Sequence, residues 1–159
     1  MWAEAGGQLV PVPAGRGYRI ESPSAAAMVT PALAGELRRV LELFAAGARF
    51  DDERPVGVVF RPGIFGHHRL GRAADIYAVG GVGLDDWKAR WDEARRRGEA
   101  AEDNIGWRLY TTMARDGRWS QPYGYPIQLF GPWTRSEGPW KYISDRLLHA
   151  HRDHIHVAK

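Results

Sequence analysis

Apolar residues recur at helical spacing in residues 31–47, 84–97 and 101–115. The first of these stretches is preceded by Thr30 and opens with proline, a combination typical of a helix N-terminus. Within it, five apolar side chains fall on one face: Leu33, Leu37, Val40, Leu41 and Phe44. This periodicity predicts three amphipathic helices that each bury one face, and residues 143–150 predict a fourth, shorter helix.

Short apolar runs between these helices predict strands. Residues 56–60 are mostly β-branched or aromatic and lie between two prolines, which indicates a buried strand. Four other runs favour the extended conformation: residues 18–20, 73–79, 127–130 and 154–158. Because helices and strands are mixed without a regular βαβ alternation, we expect an α+β fold with a small antiparallel sheet flanked by helices.

Composition agrees with one soluble globular domain. The chain has 159 residues, of which 44% are hydrophobic and 26% are charged, enough for a real core. Residues 1–30 are rich in Gly, Pro and Ala and predict an N-terminal arm before a single domain at residues 31–159. No apolar run approaches the roughly 20 residues that cross a bilayer, and residues 1–7 lack the features of a secretory signal. Cysteine is absent, which excludes disulfides and thiolate metal sites.

The charge balance is mildly basic, with a net charge of +3 and a pI near 9.4. A positive field favours anionic polymers, either a bacterial cell wall or nucleic acid. The arginine run at residues 95–97 is explained by the end of a helix, where cations suit the dipole. Since no dense basic stripe studded with aromatic residues is present, we expect no nucleic-acid partner.

All six histidines lie in two short clusters, at residues 67–68 and 149–156. Two histidines and a carboxylate are the ligand set that a catalytic zinc prefers, with a fourth position left for water. In the last strand His154 and His156 project from the same face, and Asp75 meets them if its strand is adjacent. The simplest site therefore combines His68, Asp75 and His156.

The residues around this site suggest roles in proton transfer. His154 lies close to the metal without binding it and can move protons, because imidazole titrates near neutrality. His151 is a candidate to orient His154 by hydrogen bonding. Asp153 offers a carboxylate as an alternative base, although strand alternation predicts that it faces away from His154 and ranks it second. His67 and His149 are interpreted as incidental.

Two motifs together resemble the LAS-type zinc peptidases, which include lysostaphin, D-Ala-D-Ala peptidases and hedgehog-like domains. The first is His-x-x-Gly-x-Ala-x-Asp, which begins at His68, ends at Asp75 and contains Gly71, predicted to serve a tight turn. The second is the terminal His-x-His. With His151, this ending is similar to that of the penicillin-insensitive murein endopeptidases, whereas the dipeptidase branch has Glu in place of Asp153. Gly66 replaces the serine that usually opens the first motif.

This resemblance implies a hedgehog/DD-peptidase-like fold and one Zn²⁺ held by His68, Asp75 and His156. It also implies hydrolysis of peptide bonds in peptidoglycan stem peptides or cross-links, as an endopeptidase or a carboxypeptidase. In such proteins an arginine on the preceding strand assists with substrate charge, and Arg61 is the matching residue. The implied partner is peptidoglycan or a muropeptide in an extracytoplasmic location, together with an immunity or inhibitor protein if the chain is a secreted effector.

Two other functions stay open at this point. One is a catalytically inactive zinc-containing module that binds peptidoglycan or protein, although the presence of His154 and Asp153 argues against it. The other is a metal-dependent nuclease or phosphoesterase. Hard metals at phosphate sites usually require several carboxylates, and only one is placed here.

Overall fold

A computed structural model describes residues 7–47, 55–63, 66–119, 128–138 and 140–159. Within these ranges the helices are α1 (Pro31–Gly47), α2 (Leu84–Arg96), α3 (Ile105–Arg115) and α4 (Asp145–Ala150). The strands are β1 (Val10–Pro11), β2 (Tyr18–Ile20), β3 (Met28–Val29), β4 (Val56–Arg61), β5 (Ala73–Val79), β6 (Val82–Gly83), β7 (Gln128–Phe130) and β8 (Ile155–Ala158). Short 3-10 helices cover Ser24–Ala26 and Gly66–Leu70.

The helices follow the sequence pattern closely. Thr30 caps α1, since its Oγ1 accepts a hydrogen bond from the backbone N–H of Leu33 at 3.2 Å. All five apolar residues predicted on its inner face are buried, so that prediction is confirmed. Helix α3 begins four residues later than predicted, because Asn104 caps it by accepting a hydrogen bond from the backbone N–H of Trp107. None of the described helices has the length and apolarity that crossing a membrane requires.

The sheet is mixed and runs in the order β2-β4-β5-β8-β7, with β6 paired to β5. The α+β class is therefore confirmed, whereas the expectation of a purely antiparallel sheet is wrong. Strand β2 pairs with β4 in parallel, and the other pairs of this sheet are antiparallel. The chain passes from β2 to β4 through α1, and a helical crossover of this kind places two strands parallel.

Residues 7–30, predicted as an arm, pack against the rest of the molecule. Strands β1 and β3 pair with each other, and β2 joins the main sheet. Val12, Tyr18 and Val29 are buried in the same hydrophobic cluster as the inner face of α1. The segment thus contributes both backbone pairing and apolar area to the main core.

Arg39 joins α1 to the end of α3, and we expect this contact to contribute strongly to stability. Its Nη1 and Nη2 donate to the two carboxylate oxygens of Asp116 at 2.9 Å each, which holds the pKa of Asp116 below its ordinary value. Arg39→Met should lower the free energy of unfolding by about 1–3 kcal/mol near pH 7, because it removes the cation that donates to both oxygens of Asp116 and also to Glu36. Urea denaturation measures this loss.

The matched control is Arg38→Met, because Arg38 pairs with Glu42 on the exposed side of the same helix and solvent screening leaves such pairs with little effect on stability. Folding depresses the pKa of Asp116, so its contribution is complete above the ordinary value of 3.8. This contribution is lost as the pH falls through the folded-state pKa. The free energies of unfolding of wild type and Arg39→Met should therefore become more similar in acid. Equal losses in the two variants near pH 7 would contradict this account.

Candidate metal centre

One transverse row of the sheet carries the polar residues of the site. Arg61 on β4 pairs with Asp75 on β5, Asp75 pairs with His156 on β8, and His156 pairs with Phe130 on β7. Directly opposed residues project from the same face of a sheet. Four strands therefore bring these four side chains to one surface. The residues next to them along each strand face the core.

A β-bulge places Arg61 in this row. Val59 pairs with Ala78, but Arg61, only two residues later, pairs with Asp75, three residues earlier on β5. Without this shift Arg61 would lie opposite Ile76, and regular alternation along β5 from Ala78 would turn Asp75 toward the core. The extra residue is Tyr77, whose ring lies 5.0 Å from the guanidinium carbon of Arg61. The bulge thus supplies both the register and an aromatic contact for the cation.

His68 lies in the 3-10 helix between β4 and β5. Two glycines, one on each side of this helix, allow the backbone conformation and the close packing found here. Gly71 has a φ of +67°, and a Cβ there would lie 2.4 Å from the side chain of Leu9, which confirms the predicted tight turn. Gly63, which sequence reasoning did not single out, lies against the imidazole. A Cβ at this position would lie 2.3 Å from Cγ of His68, so only glycine lets the loop pack on this ring.

His68, Asp75 and His156 form a group that could hold a metal ion, with one ligand atom of each within 4.8 Å of the others. Nε2 of His68 lies 3.3 Å from Oδ2 of Asp75, and Nδ1 of His156 lies 2.9 Å from Oδ1 of the same carboxylate. Ligands bound tetrahedrally to zinc at about 2.0–2.1 Å are separated by roughly 3.3 Å. The distances from Asp75 to the two histidines are close to this value, and the predicted strand adjacency of Asp75 and His156 is confirmed.

Asp75 concentrates negative charge inside the protein. Asp75 is only 7% exposed, and burial alone would raise the pKa of its carboxyl. The close imidazoles of His156 and His68 outweigh burial and hold the pKa of Asp75 well below its ordinary value. A buried carboxylate that stays ionised at neutral pH and faces two imidazoles is suited to a cation.

His156 has a second polar partner on the side away from Asp75. Its Nε2 lies 3.1 Å from Oε1 of Gln128, the first residue of β7. The ring of Phe130 stacks on the imidazole at 5.7 Å with an interplanar angle of 14°. Sequence reasoning missed Gln128 as a site residue, and the available signal was its position two residues before Phe130 on the same face of a predicted strand.

His154 is buried beside the metal ligands, with Nε2 at 3.7 Å from Oδ1 of Asp75. Its Nδ1 faces two groups at 2.7 Å, Oδ1 of Asp153 and Nη2 of Arg61. Asp153 accepts a hydrogen bond from Nδ1–H in the tautomer that leaves Nε2 free as an acceptor, whereas Arg61 donates to Nδ1 and favours the opposite tautomer. Burial lowers the pKa of His154, although Asp153 partly opposes this. A neutral imidazole at pH 7 is able to accept a proton.

The expected orientation of Asp153 is wrong. Strand β8 begins at Ile155, so Asp153 lies in the preceding turn, where the two-residue alternation of a strand does not apply. Besides its contact with His154, it lies 3.4 Å from Arg61 through Oδ2 and Nη1. Burial raises the pKa of the Asp153 carboxyl, but the hydrogen bond with His154 and the charge of Arg61 bring it below its ordinary value.

His151 follows α4 and contacts the site through its ring. Its Nδ1–H donates a hydrogen bond to the backbone carbonyl oxygen of Leu147 at 2.7 Å, which leaves Nε2 of the neutral ring as an acceptor. Its ring centroid lies 5.0 Å from that of His154 and 5.3 Å from that of His156. The groups hydrogen bonded to His154 are thus Asp153 and Arg61, while His151 packs against two site histidines. Burial lowers the pKa of His151.

Asp75 and His156 line an open groove together with four hydrophobic side chains: Phe130, Trp140, Ile143 and Leu147. Arg61, Pro62 and Gly63 also line this groove. A concave surface with an apolar wall and a few convergent polar groups is typical of a ligand-binding site.

No family model, no curated protein and no solved structure matches this chain. The site comprises three residues that could hold a metal ion, an imidazole beside them and the guanidinium of Arg61 next to that imidazole, a set chemically suited to hydrolysis assisted by a metal.

Proposed function

We propose that this protein is a zinc-dependent peptidase that cleaves peptide bonds in peptidoglycan stem peptides or cross-links. The observation that carries the proposal is the convergence of His68, Asp75 and His156 on one face of the sheet, with His154 beside them. The resemblance of the two histidine motifs to LAS-type peptidases supports the substrate class. It also supports a hedgehog/DD-peptidase-like fold as the finer description of this α+β domain.

Zinc is the metal that suits this donor set best. Two imidazole nitrogens and one carboxylate oxygen are a common ligand set of catalytic zinc sites, whereas magnesium and calcium prefer oxygen ligands alone. When bound, zinc would supply a Lewis acid that lowers the pKa of a water to about 7 and polarises a substrate carbonyl. Proton transfer and the stabilisation of negative charge would be supplied by residues of the chain.

His154 is the proposed general base. Burial keeps the imidazole neutral near pH 7, and its Nε2 is directed toward the ligand group. Asp153 is the proposed orienting residue, because its carboxylate accepts from Nδ1 of His154 and stabilises the imidazolium that forms when Nε2 takes up a proton. Asp153 also remains the alternative base.

Arg61 and His151 are the other proposed active-site residues. Arg61 is a cation at the edge of the groove, held by the ring of Tyr77 and by Asp153, and can stabilise negative charge on the substrate or on a developing oxyanion. His151 contacts the rings of His154 and His156 and limits their movement by packing. Since peptidoglycan lies outside the cytoplasm, we propose an extracytoplasmic location. If the protein is a secreted effector, we propose an immunity or inhibitor protein as a second partner.

Digestion of purified muropeptides, followed by mass spectrometry, tests the proposed reaction. We expect cleavage of a stem peptide or cross-link, its loss after chelation and its recovery when zinc is restored. The products also identify the bond. Cleavage that persists unchanged without metal would rule out the zinc mechanism, and an absence of cleavage with zinc bound would rule out the peptidase.

A zinc-containing binding module without turnover is the second candidate, and one observation favours it. Nη2 of Arg61 lies 2.7 Å from Nδ1 of His154, and a guanidinium can only donate a hydrogen bond. While Arg61 occupies Nδ1, the proton of a neutral His154 lies on Nε2, which then cannot act as a base. Zinc-dependent binding of muropeptides without any cleavage would support this candidate.

A further inference from the structure

Strand β7 contacts the last metal-ligand candidate through two side chains. Gln128 and Phe130 are two residues apart, so they project from the same face. Phe130 stacks on the imidazole of His156, and Oε1 of Gln128 lies 3.1 Å from its Nε2. One side chain thus restricts the plane of the ring, and the other approaches a single nitrogen.

The contact with Gln128 determines where a neutral His156 carries its proton. With its amide oxygen facing the ring, Gln128 accepts a hydrogen bond, so Nε2 is the protonated nitrogen of a neutral His156. The lone pair then lies on Nδ1, which faces Oδ1 of Asp75 at 2.9 Å. Two acceptors at this distance repel each other unless a cation or a proton lies near both.

We propose that Gln128 is a positioning residue that selects the tautomer of His156 and so keeps Nδ1 available for the metal. In the other tautomer Nδ1 would carry the proton and donate it to Asp75. That internal hydrogen bond would occupy one atom of each of two ligands and would compete with metal binding. Gln128 disfavours this state, because the other tautomer leaves Nε2 without a proton to donate to Oε1.

This inference rests on the metal site of the proposed function but not on the reaction. Hydrogen-bond partners of metal-ligating histidines typically change metal affinity or activity by about 10–100-fold when they are removed. We therefore expect Gln128→Leu, which removes the acceptor at similar size, to raise the dissociation constant for zinc by about 10–100-fold. Gln128→Glu keeps an acceptor at the same place, so it should bind zinc at least as tightly as Gln128→Leu and close to wild type.

The test uses the full chain, with zinc affinity measured by competition with a chromogenic chelator. Nitrogen-15 NMR of His156, assigned by comparison with His156→Ala, reports the tautomer in the metal-free protein. We expect the proton on Nε2 in wild type and in Gln128→Glu, and its redistribution in Gln128→Leu. Gln8→Leu is the matched control, because Gln8 is exposed and lies before β1.

An unchanged zinc affinity in a folded Gln128→Leu variant would overturn the inference, as would an Nδ1-protonated His156 in metal-free wild type. If Gln128→Leu fails to fold, two results still test the inference. These are the position of the proton on His156 in wild type and the zinc affinity of Gln128→Glu. Failure of wild type to bind zinc would remove both this inference and the proposed function. Tight zinc binding with the expected variant effects but no muropeptide cleavage would overturn the peptidase and leave the role of Gln128 in place.

Discussion

Replacing His156 with alanine is expected to abolish muropeptide cleavage and to weaken zinc binding by roughly 100-fold or more. Structural zinc sites with four protein ligands have binding free energies of about 10–16 kcal/mol, so one ligand contributes about 3 kcal/mol, or roughly 100-fold in affinity. His156 is also the ligand that pairs directly with Asp75 across β5 and β8. Calorimetric zinc titration and mass spectrometry of the digested muropeptides measure the two effects.

His149→Ala is the matched control for this substitution. His149 is an exposed histidine at the end of α4 that forms a hydrogen bond with Arg152, and it lies outside the groove that the metal ligands line. Its replacement should leave zinc binding and cleavage unchanged. Circular dichroism should show that both variants fold. Wild-type zinc affinity in His156→Ala would mean that the three ligands do not act together.

Replacing His154 with alanine should lower kcat by about 10²–10⁴, the range expected when a general base is lost. Zinc affinity should stay close to wild type, because His154 lies beside the ligand group without belonging to it. This separation distinguishes a proton-transfer residue from a ligand. Single-turnover kinetics on the muropeptide cleaved by wild type, with zinc content measured on the same samples, tests it.

Asp153→Asn then shows whether Asp153 acts through His154 or by itself. If the carboxylate only orients the imidazole, Asp153→Asn should lower kcat in the wild-type background and have no further effect in His154→Ala. Independent effects that add in the double variant would make Asp153 a second proton-transfer group. Loss of zinc affinity in His154→Ala to the degree seen in His156→Ala would instead identify His154 as a ligand.

Local periodicity was sufficient for the main elements of the fold. Helix α1 has the predicted bounds and inner face, and β5 covers the predicted residues, Ala73–Val79. Such patterns arise because burial of one face imposes its own period on the residues of each element. The parallel pairing of β2 with β4 could not be predicted in this way, since it depends on which edge of the sheet receives a short strand after the crossover.

The site residues also differ in whether local sequence could predict them. The convergence of His68, Asp75 and His156 could be predicted, because all three have donor atoms that suit zinc and two of them lie on predicted strands. The contacts of Asp153 were not predictable, because they depend on where β8 begins, one residue later than expected. Gln128 was missed because an isolated glutamine in a strand carries no signal until β7 and β8 are paired in register.

The sequence by itself determined which side chains could bind a metal and which strands and helices would present them, since ligand chemistry and periodicity are properties of neighbouring residues. Only the tertiary structure decided which of these groups meet. Arg61 pairs with Asp75 because of a bulge in β5, and Gln128 reaches His156 because β7 pairs with β8. Both contacts depend on strand register between distant segments, which is set when all core faces are buried together.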